Sequence, residues 1–248
     1  MITIDFHVHG KLKSSMPFCV PEFLQKIKEA KLAGLNSFVL NEHSHSVNFE
    51  ECYEYLSANF TRIDDCFEKD GFKVFTGVEI TTDEGLDVIV ITCPELVLEY
   101  SKKCPKGILF KNLVDCLTKD ESTLVVFAHP FRSRIDFAGI DKDLLKVFDA
   151  VELNAADLAT LGEDQNTVDV KALAKTLGVN VIGGSDSHFS IQCGSIKTIF
   201  EKDFTRICEM KNQIHAGTFS VEVDDALSIR VKSAALIKDL MVNNATKA

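Results

Sequence analysis

The sequence predicts an α/β domain of parallel strands wrapped by helices, and three observations predict it. Short β-branched or aromatic runs alternate with amphipathic stretches along the chain. No Pro/Gly/Ser-rich linker, low-complexity tract or internal repeat divides the 248 residues. A chain of this length, 46% hydrophobic and 26% charged, can bury roughly 70% or more of its unfolded surface. A repeated strand-then-helix order closes into a barrel or stays open as a doubly wound sheet. One domain, 1–248, is expected.

The first strand is 2–6 (ITIDF). A helix over 21–33 follows, with Pro21 at its start and Gly34 just past its end, the usual asymmetry of helix termini. Strand 36–40 (NSFVL) leads to a helix over 49–68, then strands 73–78 (KVFTGV) and 87–91 (DVIVI). Helix 108–118, strand 123–128 (TLVVFA), helix 141–147 and strand 149–153 (DAVEL) come next. The chain ends with helix 165–177, strands 179–184 and 196–200, and helices 204–214 and 226–242. The last helix either closes the barrel or packs against another subunit.

Composition excludes several classes. No apolar run reaches about 18 residues, so no segment is expected to span a membrane. The start, Met1-Ile-Thr-Ile-Asp5, lacks the basic flank and apolar stretch of a signal peptide, and a cytoplasmic location is expected. The eight cysteines never fall in a C-x-x-C spacing and read as reduced, mostly buried thiols. Lys and Arg number 27 against 37 Asp and Glu, a net charge of −10. That field repels a polyanion and argues against extended nucleic acid as a partner. A small phosphate ester held by metal ions and local cations remains compatible with it.

The histidines are placed systematically. His7 and His9 follow strand 2–6, His43 and His45 follow 36–40, and His129 follows 123–128. Asp186 and His188 follow 179–184, Glu79 ends 73–78, and Glu152 lies at the end of 149–153. In a parallel arrangement the C-terminal strand ends share one rim, where active sites are built. Neutral imidazole and carboxylate are ligands for zinc, manganese or iron, and no cysteine joins the set. One ion cannot take so many donors, so two or three divalent ions are expected, with Glu79 as a bridge. A lone His-x-His pair is weak evidence; the convergence of six segments is not. His45 reads as a helix cap, and His215 as a cation complementing a helix dipole.

These residues resemble the motifs of the PHP (polymerase and histidinol phosphatase) superfamily. The matching pieces are Asp5-Phe-His7-Val-His9, Glu42-His43, Gly77-Val-Glu79-Ile, Ala128-His129-Pro130-Phe-Arg132 and Gly184-Ser-Asp186-Ser-His188. They run in the family's order over three-quarters of the chain. The resemblance implies a distorted (βα)7 TIM-like barrel with two or three metal ions at its C-terminal rim, and hydrolysis of phosphate esters. It implies that His7, His9, Glu79 and Asp186 hold one ion, Glu79 and His129 a second, and His43 with His188 contribute to a third. Two departures matter. Ser14 and Ser15 stand where the family often has Asp or His, with Lys11 and Lys13 before them. Asp87 stands where the family usually has His, and its oxygen favours manganese or iron over zinc. In a strictly parallel sheet Asp87 begins its strand, so it reaches the rim only if a hairpin over 79–87 distorts the barrel. Otherwise it is a surface turn residue.

The expected activity is hydrolysis of a small phosphate monoester, such as histidinol phosphate or a nucleotide. Metal ions lower the pKa of a bridging water from 15.7 towards about 7. Arg132 is expected to grip the phosphate bidentately, with Lys11 as a second substrate-binding cation. His188 or a metal-bound water is expected to protonate the leaving group. Lys13 and Arg134 read as solvated surface. Glu152 and Asn154 read as orienting a ligand imidazole, contacting substrate or capping a helix. Two other functions fit parts of the pattern. An amidohydrolase-type C–N hydrolase shares His-x-His, but no lysine ends strands 73–78, 123–128 or 149–153. A degenerate metal-binding regulatory domain fits the replacements at Ser14, Ser15 and Asp87.

Overall fold

A computed structural model of the chain describes residues 1–245 except 118, 119, 134 and 136, with backbone alone at 138 and 241–245. Arg134 therefore lies outside the described residues. The strands are β1 (Ile2–Val8), β2 (Ser37–His43), β3 (Thr61–Ile63), β4 (Cys66–Lys69), β5 (Phe72–Thr81) and β6 (Asp87–Ile91). They continue with β7 (Leu124–Ala128), β8 (Ala150–Asn154), β9 (Asn180–Gly184), β10 (Ile196–Phe200) and β11 (Phe219–Val223). The helices are α1 (Val20–Leu32), α2 (Glu51–Asn59), α3 (Pro94–Lys103), α4 (Phe110–Cys116), α5 (Ala155–Leu161), α6 (Glu163–Leu177), α7 (Ile207–Ala216) and α8 (Leu227–Ala245).

The sheet runs β11-β10-β1-β2-β5-β6-β7-β8-β9 and curls into a nearly closed, TIM-like barrel. The barrel closes from β1 to the segment after β9 through a parallel bridge between Val8 and Ser187. There the His9 N–H donates to the Ser187 carbonyl at 2.9 Å, and the Ser187 N–H to the His7 carbonyl at 3.1 Å. Below that point β10 fills the seam, where Thr198 Oγ1 accepts the Gly183 N–H. The expected parallel order holds for β1–β2–β5 and for β7–β8–β9. It fails at β10, antiparallel to β1 and β11, and at β6, which pairs antiparallel with both β5 and β7. That hairpin is what carries Asp87 to the rim: the start of an antiparallel strand lies beside the ends of its neighbours.

Side-chain alternation along the strands separates two apolar layers. Inside the barrel, Ile4, Val39, Phe75, Ile89, Val126, Ala150 and Ile182 form one cluster, closed below by Phe200, Phe204 and Met210. Outside it, Phe38, Leu40, Val74, Val90, Phe127 and Val151 lie in the layer that meets the helices. Counting by twos from the inner residues leads to His43 on β2, Glu79 on β5, Asp87 on β6, Glu152 on β8 and Asp186 past β9. On β1 the same count would send His7 and His9 outward. The β1–β2 register shifts between Asp5 and Val8, and this irregularity reverses the parity. Val8 joins the outer layer and the two imidazoles turn inward, the re-aiming that bulges perform beside active sites.

Elsewhere the chain departs from expectation in local ways. The predicted helix over 49–68 is α2 followed by the β3–β4 hairpin, which turns at Asp64 with a left-handed φ of 49°. Segment 141–147 contains only a 3₁₀ turn at Leu144–Val147. Helices α3 and α5 and strand β11 were not expected. The eight cysteines are free thiols. Among the described residues, no helix is long and apolar enough to cross a membrane.

Candidate metal centre

At the C-terminal rim three groups of side chains converge: His7, His9 and Asp186; His7, Glu79 and His129; and His9, His43 and His188. Within each group the ligand atoms lie within 4.8 Å of one another. His7 Nε2 and His9 Nε2 are 3.1 Å apart, and His9 Nε2 is 3.1 Å from Asp186 Oδ1. Glu79 stands at the centre. Its Oε2 lies 3.4 Å from both His7 Nε2 and His9 Nε2 and 2.9 Å from His43 Nδ1, while Oε1 lies 3.0 Å from His129 Nε2.

The surrounding chain aims these groups. Glu152 Oε1 lies 2.8 Å from His7 Nδ1, which leaves Nε2 directed at the cluster. Its Oε2 accepts the backbone N–H of His129 at 2.9 Å. Glu152 reaches His7 only because residue 184 is glycine: a Cβ there would stand 2.1 Å from Glu152 Oε1. Asp5 accepts N–H groups from Ser185, Gly194 and His7, tying β1 to the strand that brings Asp186. Burial pushes the Asp5 carboxyl up to about 6, against those hydrogen bonds. His129 and Asp186 adopt left-handed backbone, with φ of 27° and 54°. Such conformations cost of order 1–3 kcal/mol each and cluster at functional sites.

The electrostatics are those of a cation site. Burial opposes protonation of His7, but Glu152, Asp186 and Glu79 outweigh it and raise its pKa well above the ordinary 6.5. Burial would raise Glu79, yet His43, His7 and His129 hold it well below the usual carboxylate range. Asp186 is likewise depressed, against burial, by His7 and Arg132. His43 is raised, against burial, chiefly by Glu79. His129 is raised by Glu79 and Glu152 against burial and the Arg132 charge. Buried ring nitrogens at His9 Nδ1 and His188 Nδ1 make no hydrogen bond. Native proteins seldom leave such atoms unpaired. A divalent cation can replace the imidazole protons in such a cluster, so the donor sets of all three groups fit divalent cations.

Four of the expected site residues have surroundings that bear on their roles. Lys11 does not serve a cleft: it is fully buried, and its ammonium donates to the carbonyls of Val47 and Asn48. Asp87 reaches the rim but joins none of the three groups; its Oδ2 lies 3.6 Å from Nδ1 of His129, the ring nitrogen facing away from Glu79. His188 is held neutral by burial and by the neighbouring His9, well below 6.5, which suits a ligand and not a general acid. Arg132 spends three N–H groups on the protein, donating from Nε to Asp157, from Nη1 to Asp186 Oδ2 at 2.5 Å, and from Nη2 to Asn154. Burial opposes its charge, but Asp186 and Asp157 prevail and raise its pKa. Of its five donors two remain. Asp157 escaped the sequence reading because helix α5, which carries it, was not expected. Asn154 both caps α5 and accepts from Arg132.

No protein-family model and no curated protein matches the chain. Solved structures do. The chain is similar to PsfC from Pseudomonas syringae PB-5123, with a TM-score of 0.78 and 23% identity over 97% of this chain and 98% of that one. It is also similar to the lesion-specific endonuclease PfuEndoQ from Pyrococcus furiosus, with a TM-score of 0.60 and 18% identity over 89% of this chain. An endonuclease Q in complex with a 27-mer duplex gives a TM-score of 0.59, also at 18% identity. Each of these alignments spans 57% of the endonuclease. At such identities the likeness establishes the fold alone: a TIM-like barrel.

Proposed function

We propose that the chain is a metal-dependent phosphoesterase that hydrolyses a small phosphate monoester of the histidinol phosphate or nucleotide kind. One observation carries the reading: three donor groups, linked through His7 and His9, gather around Glu79 at the rim where such barrels work. His7, His9, Glu79 and Asp186 would hold one divalent ion, Glu79 and His129 a second, and His43 with His188, beside His9, a third. Zinc, manganese and iron all suit imidazole and carboxylate. When bound, such ions bring the pKa of water towards about 7 and neutralise charge on phosphoryl oxygens.

The chain's own residues do the positioning. Arg132 holds Asp186 by its Oδ2, so that Oδ1 faces His9. Its two remaining N–H groups suit a phosphate oxygen pair. Asn154 Nδ2 is buried without a partner and supplies a further donor. Asp87 orients His129 from behind. The test is a substrate panel with the Mn²⁺-loaded chain: p-nitrophenyl phosphate, histidinol phosphate and nucleotides beside dihydroorotate and dipeptides. Phosphate esters alone should turn over, and Asp186→Ala or His9→Ala should abolish turnover with the circular dichroism unchanged. Normal turnover in either variant removes the site. Hydrolysis of the amides instead supports the C–N hydrolase, and full metal loading without any turnover supports the regulatory domain.

A further inference from the structure

Helix α8 is apolar on two faces. One carries Leu227, Val231 and Ala234, buried at helical spacing. It packs on α5 and on the Ser190–Gln192 turn, where Arg230 donates to the Ile191 carbonyl. The other carries Ile229, Leu236 and Leu240, which are 70%, 62% and 56% exposed. At 3.6 residues per turn the two faces lie on nearly opposite sides of the helix. Isolated apolar residues on a surface are ordinary, but a helix apolar on both sides is one that is covered on both sides.

The exposed face has the spacing of a helix-pairing seam. Ile229, Ser233, Leu236 and Leu240 follow one another at intervals of four, three and four residues. The charges beside the seam select its partner. Lys232 and Asp239 lie on the same flank, and among the described residues neither forms an ion pair. In a parallel pair that flank meets the opposite flank of the second helix. Arg230 and Ile237 stand there, and Arg230 is already held by Asp224. In an antiparallel pair about a two-fold axis, like flanks meet. The register that sets Ile229 against the partner's Leu240, and Ser233 against the partner's Leu236, brings Lys232 beside the partner's Asp239. The two are offset by two residues, about 3 Å along the axis. Symmetry makes the ion pair twice.

We propose that α8 is a dimerisation helix, whose outer face pairs antiparallel with α8 of a second copy of this chain. Both roles that the sequence offered for the last helix then hold at once: the inner face packs on the barrel and the outer face on another subunit. The proposal stands apart from the phosphoesterase reading.

A seam this short makes a small interface, below about 1,200 Å² in total, and such interfaces associate weakly. Sedimentation equilibrium at up to about 500 µM should therefore show a monomer–dimer equilibrium in the parent chain. Leu236→Glu should leave only monomer with unchanged circular dichroism, while Leu32→Glu, at an equally exposed leucine on α1, should leave the dimer intact. Lys232→Asp and Asp239→Lys should each weaken the dimer by about tenfold, since each sets like charges together twice. The double variant should recover to within about threefold of the parent, because its charges again pair across the axis. A parent monomeric throughout, a dimer that survives Leu236→Glu, or a double variant no better than the single ones overturns the proposal.

Discussion

Glu152 holds His7 by a 2.8 Å contact at Nδ1 and, through its other oxygen, accepts the backbone N–H of His129. One carboxylate thus fixes two proposed ligands whose rings stack 5.6 Å apart. Outer partners of this kind set ligand orientation, and losing them typically costs 10–100-fold in metal affinity (order of magnitude). Glu152→Gln keeps the volume and removes the charge. Its Mn²⁺ dissociation constant, measured by titration, should rise about 10-fold or more. An unchanged value contradicts the orienting role.

Gly184→Ala probes the same contact from the backbone. The added Cβ would meet Glu152 Oε1 at 2.1 Å and His7 Cβ at 2.7 Å. Both neighbours are buried and cannot retreat into solvent. Overpacking of this kind costs about 1–3 kcal/mol. Urea denaturation should show that loss together with weakened Mn²⁺ binding; a variant as stable as the parent would place the close approach in error.

The reassignment of Lys11 gives a contrasting expectation. Lys11→Met removes the donor to the Val47 and Asn48 carbonyls, in a loop where Asn48 has a left-handed φ of 49°. Losing hydrogen bonds from a charged donor costs about 1.5–3 kcal/mol. Stability should fall by that amount, while KM for p-nitrophenyl phosphate stays within about twofold, since no substrate contact is lost. A large KM rise at unchanged stability would return Lys11 to the substrate.

Charge in the metal-free cluster sets a pH dependence with two signs. The raised His7 and His43 stabilise the metal-free fold fully below their unfolded value near 6.5, and that contribution is lost as pH rises through their raised values. Depressed Glu79 and Asp186 contribute fully above 4.5 and 3.8, and their share is lost as pH falls through the lower folded values. A cation must displace the imidazole protons, so its affinity rises with pH. In thermal melts, the Tm advantage of the metal-free parent over His7→Asn should shrink above neutral pH, while the Tm gain from Mn²⁺ grows. Opposite trends would contradict the assigned charges.

Much of the centre was legible because strand ends carry it. His-x-His after the first strand, Glu79 at the end of another and Asp-x-His after β9 needed only a shared rim. What the sequence concealed was geometry that period-two patterning cannot express. The β1 register shift turns His7 and His9 inward, and the antiparallel β6 turns a strand start into a rim position. The β3–β4 hairpin is short and partly exposed, so its residues blend into the helical pattern before them. Lys11 reads as a substrate cation in the sequence, and only packing reveals it as a buried structural ammonium.

Anomalous scattering from a crystal soaked in Mn²⁺ tests the central claim most directly. The account predicts at least two peaks per chain, with His7, His9, Glu79 and Asp186 around one at roughly 2.0–2.3 Å, the range of bonds from imidazole and carboxylate to such ions. A second peak should lie between Glu79 and His129. Density free of metal at these residues, in a chain otherwise folded as described, would contradict it.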